Sequence, residues 1–470
     1  TETVQRLHGD CYDADLSSPE SVGNFHRLLS GPEGAPVGGV INFLGLCPPF
    51  ATASLEEMET PLRAAAWTFN LVKEFASDLQ ASAKIGGGWF INVTALDGQF
   101  GLSEAVMPSI AAAGTLGIVK TLHREYPRWH VKNIDVDPHM PADMLTARLL
   151  QELAVDDDHV EVGLTRHGRW RPTLTEQPTP PNLSPLVMDR EAVILVTGGA
   201  YGVTAEVARG LAATAKPRLI LVGRSPLPAP ESTRTRGLDK AGLRELLIDE
   251  TRIHKKKILP AEIEHSVNRI LKNRQMRATL DACTAAGAIV EYHALDVRDS
   301  ERFGELIDSL YDRFSRIDGV VHGAGILADK RIADKTLDSF AKVFRTKVDS
   351  ALTLARKLRP DSLRFLAFFG SVAGRFGNVG QVDYSAANEV LNKLADHLHH
   401  RWPGRVVCIN WGPWDGGMVS DDLRRLYTAA GLELIPLETG VASFLAEIGR
   451  TDRASAEVVI AVGGWREPST

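Results

Sequence analysis

The chain has 470 residues, of which 44% are hydrophobic and 24% charged, and its net charge is −6 at pH 7. This length predicts about two to three packed domains, and the slightly acidic balance argues against nucleic acid or an anionic membrane as the main partner. No apolar run reaches the roughly 18 residues that a transmembrane helix requires.

The four cysteines, Cys11, Cys47, Cys283 and Cys408, lie far apart and form no CxxC pair. This spacing predicts neither a zinc site nor a disulfide framework, so we expect no metal and a cytoplasmic location. The chain begins TETVQRL, without an initiator methionine or a charged-then-apolar leader. We interpret it as a piece of a longer polypeptide that is not secreted.

The first half, residues 1–174, alternates short apolar segments with helical ones. Strands are predicted within Gly38–Leu46 and Trp89–Leu96, and a helix over Pro61–Leu79. This alternation predicts βαβ units and a parallel sheet. No phosphate-binding glycine loop follows either strand, so we predict a truncated nucleotide-binding fold without a nucleotide site. Four prolines within residues 175–189 predict a stiff linker after it.

The second half, residues 190–470, is predicted to be a complete α/β doubly wound domain. Its apolar strands end at small or polar residues, which is where ligands bind in open parallel sheets. The segments that carry these strands are Glu191–Ala212, Arg218–Ser225, Ala288–Asp299, Ile317–Gly325, Leu363–Gly374 and Gly404–Trp414. A long insert, residues 226–287, contains two basic clusters, with apolar residues at helical spacing. Two interpretations are open for it: a solvated helical excursion at the domain edge, or a docking surface for an acidic partner.

A glycine turn follows the first strand of the second half and precedes a helix. Gly198 can turn tightly, Gly202 lets the backbone approach a phosphate, and the helix N-terminus attracts the anion. Many relatives of such loops have a third glycine where this chain has Thr204. An arginine, Arg224, follows the next strand, where it would accommodate the 2′-phosphate of NADP and not the free ribose hydroxyl of NAD. The predicted cofactor is NADPH.

Reduction of a carbonyl group needs a proton donor, and Tyr384 is the candidate because a nearby cation can lower the pKa of a tyrosine. In short-chain dehydrogenases a lysine follows four residues after the tyrosine, but this chain has Asn388 there. Lys393, nine residues after Tyr384, lies on the opposite face of the helix. We predict that it lies at the surface. The preceding helix carries Lys347 where such enzymes have asparagine, so lysine and asparagine have exchanged helices, with Ser371 at the end of the intervening strand.

The order Lys347, Ser371, Tyr384 and Asn388 resembles the ketoreductase domains of type I polyketide synthases, members of the short-chain dehydrogenase/reductase superfamily. The resemblance covers both halves, because those domains have a truncated, cofactor-free structural subdomain before the catalytic one. The insert is more similar to ketoreductases of iterative synthases, such as those that make polyunsaturated fatty acids. The resemblance implies that these four residues are catalytic.

The cofactor-binding residues follow from the strand ends and from this resemblance. They are Thr197, Gly198, Ala200, Tyr201, Gly202, Val203, Gly223, Arg224, Ser225, Asp296, Val297, Gly323, Ala324, Gly325, Lys347, Tyr384 and Gly412.

Stereochemical control is also implied by the resemblance. Family members that form a 3R hydroxyl (B-type) have a Leu-Asp-Asp motif, and this chain has Leu327-Ala328-Asp329. Members with the opposite outcome have a tryptophan where this chain has Phe376. Two further residues, Gln381 and Met418, are expected to contact substrate, with Met418 at the start of a lid, residues 416–435. A B-type outcome is the prediction, although Asp329 could instead cap its loop.

The leading hypothesis is an NADPH-dependent reductase of 3-ketoacyl thioesters in polyketide or polyunsaturated fatty acid synthesis. Its partners would be an acyl carrier protein with a phosphopantetheine-linked 3-ketoacyl chain and other domains of the same megasynthase. Two alternatives are a catalytically silent structural or docking domain of a megasynthase and a free-standing reductase of small carbonyl compounds.

Overall fold

The computed structural model describes residues 4–30, 35–47, 54–103, 107, 109–155, 157–177, 188–253, 259–417, 424–425, 432–452 and 455–463. Met418, most of the predicted lid and most of the predicted linker lie outside the described residues. The chain divides into two compact units. The first comprises the described residues of Thr1–Pro181, Gly325–Gly412 and Thr451–Thr470, and the second comprises those of Asn182–Ala324 and Pro413–Arg450.

The described residues of the first half form a hairpin, a five-stranded sheet and four helices. The elements in chain order are β1 (Gln5–His8), β2 (Cys11–Asp13), α1 (Pro19–Ser30), β3 (Gly39–Gly45), α2 (Thr60–Ser82), β4 (Trp89–Thr94), α3 (Ala113–Glu125), β5 (His130–Val136), α4 (Ala142–Leu153), β6 (Glu161–Thr165) and β7 (Gly168–Trp170). The strand order is β3-β4-β5-β6-β7, parallel except for the antiparallel β7. The central strand β4 is buried almost throughout, as parallel sheets covered on both faces require.

The second unit is built from parallel strands and helices that alternate. Its elements are β8 (Val193–Thr197), α5 (Val203–Ala215), β9 (Arg218–Gly223), α6 (Lys240–Ile253), α7 (Pro260–Ala285), β10 (Ile289–Ala294), α8 (Ser300–Phe314) and β11 (Gly319–His322). The strand order is β10-β9-β8-β11. Asp299 caps α8 by accepting a hydrogen bond from the Arg302 amide, which satisfies one of the unpaired N–H groups of the first turn.

The remaining elements return to the first unit, apart from one helix. They are α9 (Leu337–Lys357), β12 (Phe365–Ser371), α10 (Val372–Phe376), α11 (Val382–His399), β13 (Arg405–Trp411), α12 (Leu437–Ile448) and β14 (Glu457–Ile460). Strands β12, β13 and β14 are parallel neighbours, and α12 belongs to the second unit.

Helices α3 and α11 pack against each other inside the first unit. The approach is closest at Gly117, where a Cβ atom would lie 2.6 Å from the carbonyl carbon of Ser385. Only a glycine allows the two backbones to come this near. The first half of the chain therefore packs directly against the helix that carries Tyr384 and Asn388.

The predicted fold class, α/β with Rossmann-like parallel sheets, is confirmed. Strands β4, β8, β9, β12 and β13 lie within segments predicted from apolar patterning. Six strands, β1, β2, β5, β6, β7 and β14, were not predicted from the apolar pattern. Among the described residues, no helix has the length and apolar character needed to span a bilayer.

Candidate active site

The four predicted catalytic residues all lie in the first unit. Helix α9 supplies Lys347, β12 ends at Ser371, and α11 carries Tyr384 and Asn388 one helical turn apart. The exchange of lysine and asparagine between helices therefore has a structural counterpart: the cation reaches the tyrosine from α9 and not from α11.

Lys347 is buried beside the ring of Tyr384. Its side chain is 3% exposed, and Nζ lies 5.3 Å from the centre of the Tyr384 ring. The ammonium donates a hydrogen bond to the carbonyl oxygen of Phe369 at 2.6 Å. Burial disfavours the charged form and lowers the pKa of Lys347 to about 8. The cation is thus fixed at the end of β12, next to the candidate proton donor.

Tyr384 sits in an apolar setting that restricts its ring. It is 9% exposed and clusters with buried Val343 and Ala373, against which Ile326 and Ala328 also pack. An apolar, water-poor setting strengthens electrostatic interactions with a nearby charge. The ring is therefore held where the charge of Lys347 acts on it.

Asn388 is fully buried, and its two side-chain polar atoms differ in their partners. Its Nδ2 donates to the carbonyl oxygen of Tyr384 at 2.7 Å, whereas its Oδ1 accepts no hydrogen bond from the described residues. Because buried polar atoms are nearly always hydrogen-bonded, such an atom suits a role toward water or a ligand. Ser371 is half-buried, and its Oγ accepts a hydrogen bond from the Ala373 amide at 3.2 Å, which caps α10.

The surface position predicted for Lys393 is wrong. Its side chain is only 2% exposed. Nζ lies 3.0 Å from a carboxylate oxygen of Glu457 and 3.4 Å from one of Asp396. Glu457 belongs to β14, a strand that the sequence did not predict, and this strand covers the helix face that carries Lys393. The lysine is therefore part of a buried ion-pair cluster.

The structure links two of the residues predicted to control stereochemistry. Gln381 Nε2 donates to Asp329 Oδ2 at 2.9 Å, and the Lys330 amide donates to the carbonyl oxygen of Gly380 at 2.9 Å. These bonds hold the Leu327–Asp329 loop against the start of α11. Leu327 is exposed.

Phe376, also predicted to control stereochemistry, lines a cavity together with residues of α3. Its neighbours there include His123 and Arg124 of α3, around a cavity of about 100 Å³. Arg124 Nε donates to the carbonyl oxygen of Phe376 at 3.1 Å. This residue therefore contacts the first half of the chain.

Two further groups that hold the loops beside Tyr384 were not predicted from the sequence. Lys335, fully buried, lies 2.5 Å from Asp383 Oδ2 and donates to the carbonyl oxygen of Ala328 at 2.7 Å. Glu125, at the end of α3, accepts from the Ile332 amide at 3.0 Å and from the Gly380 amide at 2.8 Å. Asp383 directly precedes Tyr384 in the sequence, and this adjacency could have pointed to its role. No motif or spacing in the sequence points to Glu125.

The second unit carries the predicted cofactor loop. Gly198 and Gly202 both have positive φ, +75° and +70°, which glycine adopts without strain. Helix α5 begins after Gly202 with no side-chain cap, so its first N–H groups are available to a phosphate. Among the residues that the structure describes, a Cβ atom at Gly202 would meet only Gly417, at 3.8 Å. The loop therefore has room for a phosphate group.

Thr204 stands where many relatives have the third glycine of the loop. It fits because the residue that faces it, Gly323, has no side chain. A Cβ atom at Gly323 would lie 2.5 Å from Cγ2 of Thr204. The strand end is further tied to the loop because Thr197 Oγ1 accepts from the Ala324 amide at 3.2 Å. The helix thus packs closely against β11 despite the larger residue.

The strand ends that follow the loop carry charged groups. Arg224 is exposed just after β9, and its charge helps to lower the pKa of Asp296, whose main cause is the hydrogen bond from Arg298. Arg298 contacts both carboxylate oxygens of Asp296. The remaining predicted cofactor residues of the second unit, Ala200, Val203, Gly223 and Val297, lie on the loop, on α5 or at strand ends. Gly325 and Gly412 lie in the first unit. The free glycine loop, the uncapped helix and Arg224 fit a phosphorylated dinucleotide.

Comparison with known proteins agrees with this geometry. Residues 192–416 match the family model described as the KR domain. The chain is 30% identical over 421 residues to one component of the polyunsaturated fatty acid synthase of Thraustochytrium sp.. The match covers 86% of this chain and 15% of that protein, so the chain spans a small part of its relative's length.

Solved structures show the same fold at lower identity. A ketoreductase described as the N-terminal one of the macrolactin assembly line is 18% identical, with a TM-score of 0.67 over 98% of this chain and 80% of that one. A structure described as an A1-type ketoreductase is 20% identical, with a TM-score of 0.71 over 96% of this chain and 82% of that one. At these identities the likeness is one of fold.

The chain belongs to the KR (ketoreductase) domain family found in polyketide and polyunsaturated fatty acid synthases. Domains of this family are oxidoreductases of the short-chain dehydrogenase/reductase superfamily that use nicotinamide cofactors.

Proposed function

We propose that the chain reduces the keto group of a 3-ketoacyl thioester to a 3-hydroxyacyl thioester with NADPH. The observation that carries the proposal is the buried ammonium of Lys347, 5.3 Å from the Tyr384 ring, delivered from α9 while Asn388 occupies the next turn of α11. Bound NADPH would supply the hydride that reduces the carbonyl carbon.

The residues of the chain would supply the proton. Tyr384 donates its phenolic proton to the carbonyl oxygen as the new alcohol forms. The ammonium of Lys347 stabilises the phenolate left behind, because an opposite charge favours an ionised group. The Ser371 hydroxyl donates a hydrogen bond to the same carbonyl oxygen and orients it. Asn388 Oδ1 accepts a hydrogen bond from a water molecule that returns a proton to Tyr384.

We also propose the substrate carrier and the stereochemical outcome. The thioester would be delivered on the phosphopantetheine arm of an acyl carrier protein, alongside other domains of a cytoplasmic megasynthase, with no nucleic-acid or membrane partner. The bond between Gln381 and Asp329 supports a substrate-side role for the Leu327–Asp329 loop, and the expected product is the 3R alcohol.

The test compares NADPH consumption by the wild-type chain and two variants on a 3-ketoacyl thioester, with chiral analysis of the product. Tyr384→Phe and Lys347→Ala should each lose about 10²- to 10⁴-fold in kcat, the usual contribution of general acid catalysis. Lys342→Ala is the matched control, because Lys342 is an exposed lysine on the same helix.

Each alternative has its own signature in this assay. A wild-type chain that binds NADPH and reduces nothing would be a silent structural domain. A chain that turns over small ketones with no preference for carrier-bound thioester would be a free-standing carbonyl reductase. A 3S product would overturn the B-type assignment alone.

A further inference from the structure

The long insert of the second unit packs along the cofactor half through α7. This helix contacts α5 and β10, and two of its arginines hold the segment that follows Arg224 and Ser225. Arg274 contacts Glu231 at 2.7 Å and the carbonyl oxygen of Leu238 at 2.8 Å, and Arg277 donates to the carbonyl oxygen of Ala229 at 3.1 Å. Two of the four Lys and Arg residues of this helix thus fix the loop after β9.

Lys272 of the same helix points to a different group, the side chain of Ser225. Its Nζ donates to Ser225 Oγ at 3.0 Å and lies 5.7 Å from the centre of the Tyr201 ring. Tyr201 belongs to the glycine loop, and Ser225 directly follows Arg224. The insert therefore places a lysine ammonium between the glycine loop and the end of β9.

Among the residues that the structure describes, no carboxylate pairs with Lys272. In the described part of the chain, neither Lys272 nor Arg224 forms an ion pair with an acidic side chain. The carboxylate of Asp296, whose pKa the charge of Arg224 helps to lower, is already bound by Arg298. Burial, and then the charge of Arg224, lower the pKa of Lys272. Two neighbouring cations without a counter-ion are unfavourable unless an anion joins them.

We infer that Lys272 is a specificity-determining residue that binds the 2′-phosphate of NADPH together with Arg224. The inference rests on the proposed function and assigns the insert a role in cofactor selection. Ser225 accepts from Lys272, which leaves the serine proton free to donate to a phosphate oxygen. A phosphomonoester carries about −1.5 to −2 charges at neutral pH, so it would compensate both cations.

The experiment measures binding and not turnover. Adenosine 2′,5′-bisphosphate and 5′-AMP are titrated into the whole chain by calorimetry, so the two probes differ only in the 2′-phosphate. Wild type should prefer the bisphosphate. Lys272→Met, which keeps the aliphatic stem, should weaken bisphosphate binding by about 10-fold or more, as expected for one charge-assisted hydrogen bond, and should leave 5′-AMP unchanged.

Two further variants sharpen the comparison. Lys272→Arg keeps the cation and should retain most of the preference. Arg269→Met removes the same charge from an exposed position of α7 and should have little effect, which separates a local contact from a general loss of positive charge. Unchanged 5′-AMP binding reports that each variant is folded.

The failures are distinguishable. If wild type shows no preference for the bisphosphate, the proposed NADPH dependence fails, and the inference fails with it. If wild type prefers the bisphosphate and Lys272→Met keeps the full preference, the proposed function stands and the role of Lys272 is refuted. The same holds if Arg269→Met lowers bisphosphate affinity as much as Lys272→Met does.

Discussion

At the scale of single residues, the buried ammonium of Lys347 links chemistry to stability. Its pKa is lowered to about 8 from 10.5 by burial, so at neutral pH it is charged and able to stabilise a phenolate. Keeping that charge in an apolar setting costs stability. The site therefore accepts a destabilising feature that the proposed reaction requires.

This cost predicts an unusual dependence of stability on pH. Between pH 8 and 10.5 the unfolded chain binds a proton at Lys347 that the folded chain has lost, so the free energy of unfolding should rise with pH. The full rise from this group is roughly 3 kcal/mol, at about 1.4 kcal/mol per pKa unit. Urea unfolding of wild type and Lys347→Met across this range measures it as the difference between the two curves. Parallel curves would contradict the lowered pKa.

At the scale of elements, the end of α3 holds the segment after Leu327–Asp329 and the segment before α11. The carboxylate of Glu125 joins Ile332, which follows the Leu327–Asp329 loop, to Gly380, which precedes α11. A buried carboxylate that accepts two backbone N–H bonds fixes both segments at once. A helix of the half without catalytic residues thus sets the geometry around Tyr384.

Replacement of Glu125 should disturb this arrangement. Glu125→Ala leaves two buried N–H groups without an acceptor, which should cost about 2–4 kcal/mol of stability. It should also raise KM and reduce the enantiomeric purity of the alcohol, because the loop that carries Asp329 is released. Denaturant unfolding and chiral chromatography measure the two effects.

The control for Glu125 is a change of similar kind in the other unit. Asp299→Ala removes the cap of α8 and should cost about 1 kcal/mol while product purity stays unchanged. If both variants shift purity equally, the effect is one of general stability, and the positioning role of Glu125 is lost.

The comparison with sequence-based expectation is clearest for these elements. Strands such as β8 and β9 and the order of Lys347, Ser371, Tyr384 and Asn388 were predicted because apolar patterning and motif spacing are local signals. Glu125 could not be predicted, because its partners are backbone amides 207 and 255 residues away. Lys272 stood in a basic stretch that a solvated helix would explain equally well. The contacts of Glu125 and of Lys272 join residues that are far apart in the chain, so local sequence patterns do not reveal them.

At the scale of the whole molecule, the first half is part of the catalytic unit. Lys120 of α3 lies 3.1 Å from Glu161 and 3.0 Å from Glu389 of α11, and Arg375, close to Ser371 in the chain, contacts Glu161 at 2.6 Å. These charges are largely buried. Without the first half of the chain, or without α10 and α11, the remaining charges would lose the partners that they have in the intact unit. The two sides should therefore fold as one.

Deletion of residues 1–177 tests this dependence. The remaining chain should lose cooperative thermal unfolding, because the face of α11 around Ser385 and the partners of Lys120 become exposed. Co-expression of residues 1–177 as a separate chain should restore folding and co-purify. A truncated chain that melts at the wild-type temperature would show that the first half is dispensable for stability.

The contact between Gly323 and Thr204 also has an evolutionary consequence. A threonine at the third position of the glycine loop fits here only because the facing residue lacks a Cβ atom. A side chain at position 323 would crowd the side chain of Thr204, so changes at these two positions are coupled.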